Sequence, residues 1–285
     1  MVVADGNFFM WVSFKKSPYK KITIFGLSTC FIALVTILML TREDFEKNCW
    51  GFATFLSESF EKDLNKSLWN YENYSSDNVQ LVSSPVFEGT RSIQFIVKPG
   101  EIVNNGNRAE VVLKNSDPIC NEAWYRWSFY LPSSYIDAPS NKWQLFGQWH
   151  DQPDKSKGET WVNYPAHSPM LSYLYYFINN TCYLKLSYGV GSNRTIVGSI
   201  PFTKGTWNTI TTHVYWSRTD RGFVESWLNQ TRFNAFNGYD YKYYGINMYN
   251  DAPAYLKIGV YRDSTINVTN RVYFDKLIRS PRPFE

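Results

Sequence analysis

In Tyr255-Leu-Lys-Ile-Gly-Val-Tyr-Arg-Asp263, apolar Leu256, Ile258 and Val260 alternate with Tyr255, Lys257, Gly259, Tyr261 and Asp263. Successive side chains of a β-strand point to opposite faces, so a period of two describes a strand with one core face and one polar face. The same pattern recurs in Ser92–Lys98, Arg108–Lys114, Trp124–Leu131, Trp143–His150, Tyr183–Tyr188, Trp207–Trp216, Phe223–Asn229 and Val272–Ile278. These runs are aromatic and β-branched, and clusters of Gly, Pro, Asn and Asp separate them. Long helical stripes and internal repeats are absent. So many short strands predict an all-β domain of two packed antiparallel sheets, a jelly-roll sandwich.

Upstream, Ile22–Leu40 reads ITIFGLSTCFIALVTILML without a charged side chain. At about 1.5 Å per residue this spans the roughly 30 Å of a bilayer core. Lys15, Lys16, Lys20 and Lys21 precede the run, whereas the segment after it is mixed in sign. The positive-inside rule then predicts a cytoplasmic tail at 1–21, a transmembrane signal anchor at 22–40, a stalk at 41–60 and the folded domain at 61–285. The expected protein is a single-pass type II membrane protein, its C-terminal domain in the Golgi lumen or outside the cell. Sequons at Asn65, Asn73, Asn179, Asn193, Asn229 and Asn267 all follow the run, as glycosylation of a lumenal domain requires. Three of the four cysteines also follow it, and an internal Cys120–Cys182 disulfide is expected, leaving Cys49 free or linking two chains into a dimer.

Lys and Arg number 29 against 25 Asp and Glu, and the tail alone supplies four lysines, so the domain is close to neutral. A broad nucleic-acid footprint is therefore not expected. No His-Glu-x-x-His pair, Cys-x-x-Cys site or EF-hand loop marks a metal site. No Gly-x-Ser-x-Gly elbow, phosphate-binding loop or closely spaced acid pair marks a hydrolase or a glycosidase.

Three strand faces carry polar groups. Arg108 and Glu110 lie two apart opposite Ala109, Val111 and Leu113, and alternation groups Gln144, Phe146, Gln148 and His150. Tyr255, Lys257, Gly259 and Tyr261 form the third set, in which Gly259 leaves room for a ligand to approach the sheet. Together they supply Arg, Gln, His, Lys and Tyr, the inventory for breaking a uronic-acid polymer by β-elimination. That reaction needs a cation or amide to neutralise the uronate carboxylate, a base for the C5 proton and an acid for the departing O4.

Asn107-Arg-Ala-Glu110, Trp127-Ser-Phe-Tyr-Leu-Pro132, Gln148-Trp-His150 and Tyr255-Leu-Lys-Ile-Gly-Val-Tyr-Arg262 resemble the polysaccharide lyase family of heparin lyase I and the glucuronan lyases. The resemblance runs over residues 55–285 and implies a concanavalin A-like jelly roll. It implies catalytic roles for Arg108 on the substrate carboxylate, His150 as base, and the Lys257 and Tyr261 pair, with Tyr261 as general acid. Gln148, Glu110, Tyr255 and Gln144 become substrate-binding candidates. No cofactor is implied as required, although the family resemblance leaves room for a structural calcium. The expected partner is an acidic polysaccharide. The alternative expectation is a non-catalytic, lectin-like domain that binds the same glycans.

Overall fold

The computed structural model describes residues 49–233 and 241–284. The predicted tail and anchor lie outside this range, and among the described residues no helix is long and apolar enough to cross a membrane. In chain order the strands are β1 (Gly51–Phe52), β2 (Leu56–Glu58), β3 (Trp69–Asn73), β4 (Val79–Val82), β5 (Ser92–Val97), β6 (Ile102–Val103), β7 (Gly106–Leu113), β8 (Asn121–Tyr130) and β9 (Gln144–His150). They continue as β10 (Leu171–Ile178), β11 (Thr181–Tyr188), β12 (Thr195–Phe202), β13 (Trp207–Tyr215), β14 (Phe223–Leu228), β15 (Thr231–Arg232), β16 (Tyr243–Tyr244), β17 (Tyr255–Arg262) and β18 (Asn270–Ser280).

Two sheets form a sandwich. The larger runs β15-β14-β13-β8-β18-β5-β4, with β1, β2 and β16 at its margins, and the other runs β12-β11-β10-β9-β17-β7-β3, with β6 beside β7. Among the described residues, every strand pairing is antiparallel except that of β1 with β8. Rings from both sheets meet between them: Trp127 of β8 and Trp149 of β9 lie 5.5 Å apart, and Phe129 of β8 and Phe146 of β9 lie 5.8 Å apart. All four are fully buried, and such aromatic pairs add about 0.5–1.5 kcal/mol beyond the area they remove from water.

Three expectations change. The disulfide joins Cys49 to Cys120, with Cα atoms 5.6 Å apart, while Cys182 is a buried free thiol beside the Tyr175 hydroxyl at 3.4 Å. Strand β1 runs alongside the start of β8 and so brings Cys49 to Cys120, whereas Cys182 lies on β11 in the other sheet. Cys120 therefore has no bond to Cys182, and Cys49 is not available for a link between chains. Residues 51–58, read as stalk, pair with β8 and β18, and Phe60 just beyond them is fully buried.

The third change is one of phase. Opposite β17, Gly147 pairs with Ile258 but Leu145 pairs with Tyr261; opposite β10, the consecutive Tyr173 and Leu174 face Gly147 and Leu145. These bulges around Phe146 reverse the alternation of β9. Gln148 and His150 stay on the outer face with Lys257 and Tyr255, but Phe146 enters the core and Gln144 takes a hydrogen bond from the Tyr135 hydroxyl at 2.5 Å. Gln144 is therefore part of the core and is removed from the set of surface polar residues. Gly259, in the β17 bulge, has φ +135°, and a Cβ there would collide with the Ala109 carbonyl oxygen and approach Phe95. It is glycine because neighbouring backbone and core leave no room for a side chain, and not to admit a ligand from the outer side.

Candidate active site

Strands β3, β7, β17 and β9 lie side by side, and their register puts the remaining polar residues on one outer face. Glu72 pairs with Glu110, Glu110 with Gly259, Arg108 with Tyr261, Lys257 with Gln148 and Tyr255 with His150. Cross-strand partners in antiparallel sheets share a face. These side chains nevertheless form a covered polar layer and not the wetted surface that alternation alone suggests: Arg108, Glu110, Gln148 and Lys257 are all buried.

Glu72 stands at the centre. Its carboxylate accepts hydrogen bonds from Arg108 Nη1 at 2.8 Å and from Lys257 Nζ at 2.9 Å. Burial opposes its charge, but Lys257 and then Arg108 hold its carboxyl below the ordinary range. Behind it, Glu110 accepts from Gln148 Nε2 at 2.6 Å and lies 3.4 Å from Arg108 Nη1. Burial pushes the Glu110 carboxyl upward against the pull of Lys257 and Arg108. With both acids ionised, the two cations are balanced; protonation of Glu110 leaves one positive charge in excess. Gln148 Oε1 and Arg108 Nε are buried without a hydrogen-bond partner. Such orphaned atoms are uncommon in folded proteins and suit a ligand that completes the network.

Tyrosines stand at both ends of this layer. Tyr261 lies under the Arg108 guanidinium, 3.8 Å from ring centroid to Cζ, and its edge meets Trp143 at 4.7 Å. Gly106 makes room for the Tyr261 ring, since a Cβ there would collide with it. Tyr255 lies at the other end, its ring 6.0 Å from that of His150 and 5.4 Å from Lys257 Nζ. Burial, followed by the nearby Glu72, Asp151 and Glu110 carboxylates, raises the Tyr255 hydroxyl above its usual range, so it remains a proton donor.

His150 is fixed from behind. Its Nδ1 lies 3.1 Å from the Asp151 carbonyl oxygen, in hydrogen-bond contact, and 2.8 Å from Asp151 Oδ1. Either contact keeps a proton on Nδ1 in the neutral ring and leaves the Nε2 lone pair available as a base. The other Asp151 oxygen meets His167 Nδ1 and the Tyr164 hydroxyl, each at 2.5 Å. Burial works against the Asp151 charge, but the hydrogen bonds from His150, Tyr164 and His167 hold it below the ordinary value. His167 in turn stacks on Tyr249 at 3.9 Å. The loop after β9 thereby brings a second histidine to the carboxylate that orients the first.

Glu72 and Asp151 were not singled out from sequence. Asp151 had a local signal, a carboxylate directly after the histidine. Glu72 had none, because its partners stand 36 and 185 residues away. His213 lies in the other sheet between Glu225 and Glu122, at 2.7 and 2.5 Å, and is stacked on Trp124. Of the tryptophans, Trp127 and Trp149 are core, Trp143 borders Tyr261, and Trp161 is exposed on the loop that carries Tyr164. No group of three or more His, Cys, Asp or Glu side chains among the described residues is arranged to hold a metal ion.

No curated protein sequence matches this chain. Solved structures do resemble it. The endo-β-1,4-glucuronan lyase of the fungus Trichoderma reesei superposes with a TM-score of 0.59 at 17% identity, covering 80% of this chain and 95% of that one. Alginate lyase Aly36B gives 0.51 at 12% identity, covering 82% and 100%. A family 7 alginate lyase in complex with substrate gives 0.52 at 14% identity, covering 80% and 98%. At these identities the likeness shows the jelly-roll fold. The sequence profile of the polysaccharide lyase family goes further, matching residues 48–278 and so nearly all of the two-sheet domain. On that match the chain belongs to the polysaccharide lyase family, enzymes that act on polysaccharides.

Proposed function

We propose that the protein is a membrane-anchored lyase that cleaves a 4-linked uronan by β-elimination. The observation that carries this is the pairing of Arg108 and Lys257 on a single carboxylate, that of Glu72, with His150 and Tyr255 on one side and Tyr261 on the other. A uronate carboxylate that replaces Glu72 between the two cations would have its charge neutralised and its C5 proton made acidic. His150 Nε2 takes that proton, the C5–H electron pair becomes the C4=C5 double bond, and the C4–O4 bond breaks. The departing O4, on the carbon next to C5, takes a proton from Tyr255, the tyrosine paired with His150 across the strands, while Tyr261 at the far end of the cation pair serves binding. Neither water nor a metal is consumed.

The layer is nearly charge-balanced, which favours a polymer with one carboxylate per sugar over a densely sulfated one. The glucuronan and alginate lyases among the similar structures support that substrate class. The apolar Ile22–Leu40 run supports an anchor, with the domain in the Golgi lumen or outside the cell. Five of the six sequon asparagines are exposed and Asn73 is half-buried, which is compatible with N-glycosylation on that side.

Glu72 also favours a second reading, a glycan-binding domain without turnover, because an internal carboxylate already satisfies both cations. The deciding experiment follows the ultraviolet absorbance of the unsaturated uronate when the purified protein meets glucuronan, alginate, hyaluronan, heparin and heparan sulfate. A rise with glucuronan or alginate is expected. Binding without any rise across the panel, at several pH values, would establish the second reading.

A further inference from the structure

The chain enters the domain through an unusually exposed aromatic edge. Trp50, Phe52 and Phe55 fall within six residues and are 53%, 58% and 69% exposed. They are held in place. Cys49 is bonded to Cys120, the Gly51 and Ala53 amides donate to the Cys120 and Glu122 carbonyls at 2.8 and 2.9 Å, and the Tyr215 hydroxyl donates to the Cys49 carbonyl at 2.9 Å.

The rings continue across the sheet margin. Trp50 stacks on Tyr215 at 4.7 Å, Tyr215 lies 6.0 Å from Phe223, and Phe223 lies 5.8 Å from half-exposed Tyr244. Cations accompany them: Lys242 Nζ is 4.3 Å from the Phe223 centroid, and the Arg221 guanidinium is 5.8 Å from that of Tyr215. Aromatic side chains next to Lys and Arg are the composition that settles at the headgroup level of a bilayer.

Only eight residues, Thr41–Asn48, separate Leu40 from Cys49. Even fully extended, they keep this edge within about 30 Å of the end of the apolar run. We infer that the Trp50–Phe52–Phe55 edge, with Arg221 and Lys242, is a membrane-docking surface whose occupant is the headgroup region of the bilayer that holds Ile22–Leu40. The inference rests on the anchored reading above. Contact at this edge would add to the hold of the apolar run on the bilayer, and the disulfide would keep the edge in place.

The test reconstitutes the full chain in phosphatidylcholine vesicles with brominated acyl chains and compares tryptophan emission with that of Trp50→Phe. The emission lost in Trp50→Phe, which is the share of Trp50, is expected to fall by at least half in brominated vesicles and to resist aqueous acrylamide. Phe52→Ser/Phe55→Ser should restore acrylamide quenching of Trp50 while the chain still resists alkaline carbonate extraction. Trp50 emission open to acrylamide and insensitive to bromine would overturn the inference. Protection from both quenchers would overturn it too, since the edge would then be covered by protein. Release of the chain by carbonate would instead remove the anchor, and the lyase assay reports on catalysis separately.

Discussion

Glu72 receives Lys257 Nζ at 2.9 Å through each of its two carboxylate oxygens. An internal acid thus occupies the cation pair that a uronate needs. Glu72→Gln keeps the shape and removes the competing charge. A partly exposed ion pair is worth about 1 kcal/mol, or roughly fivefold in affinity. Glu72→Gln should therefore bind an unsulfated uronan about fivefold more tightly, with a steeper salt dependence, in a titration that needs no turnover. Weaker binding would mean that Glu72 positions the two cations and does not compete for them.

The two tyrosines are separable by experiment. Tyr255→Phe should reduce kcat by about 10²–10⁴ as the loss of a general acid, with glycan affinity nearly unchanged. Tyr261→Phe should act mainly on KM. The reverse order, measured by steady-state kinetics, would move the proton-donor role to the tyrosine beside Arg108.

Asp151→Asn should lower kcat only by about tenfold at similar KM, because the main-chain carbonyl of residue 151 still holds the His150 Nδ1 proton and only the carboxylate charge beside the ring is lost. It should also change stability with pH. The folded-state value of Asp151 is depressed, so its contribution is present above the ordinary carboxyl value near 3.9 and is lost as pH falls through the lower folded value. Equilibrium unfolding should show a wild-type advantage over Asp151→Asn at pH 7 that narrows below about pH 4. A gap that widens on acidification would contradict this assignment.

Much of this molecule follows from periodicity, and the exceptions have physical causes. All nine alternating runs form strands. Leu171–Ile178 was missed because LSYLYYFI is apolar or aromatic at nearly every position, and both faces of β10 are covered through most of its length. Thr195–Phe202 contains Gly198 and Pro201, which read as turn residues. Arg108, Glu110, Gln148, His150, Lys257, Tyr255 and Tyr261 share one outer face, as local alternation predicts, because each obeys that alternation. Gln144 was misplaced because a bulge leaves no trace in a pattern of apolar and polar letters. Glu72 and the Cys49–Cys120 bond are long-range facts that no local spacing encodes.

Cys49→Ser should give a monomer on a non-reducing gel, as the wild type does, because the native bond lies within one chain. The bond closes a loop of 71 residues, so chain-entropy arguments put its loss at about 4 kcal/mol. A wild-type dimer that disappears on reduction would refute the intrachain pairing.

Gly259→Ala should cost about 2–3 kcal/mol, since the position combines φ +135° with a Cβ path blocked by the Ala109 backbone. Chemical denaturation would measure it. A neutral substitution would show that β17 can shift away from β7.

The bulges around Phe146 divide β9 into two halves that answer to different selective pressures. Substitutions at Gln148 and His150 would register in turnover, and those at Gln144 and Phe146 in folding yield, although all four fall within seven consecutive positions. Relatives that lose or gain one residue at that point would keep the half with Gln148 and His150 in step with β17 while the other half slid out of phase. Insertions and deletions near Phe146 should therefore be far rarer than substitutions there, a pattern visible in any deep mutational scan of the domain.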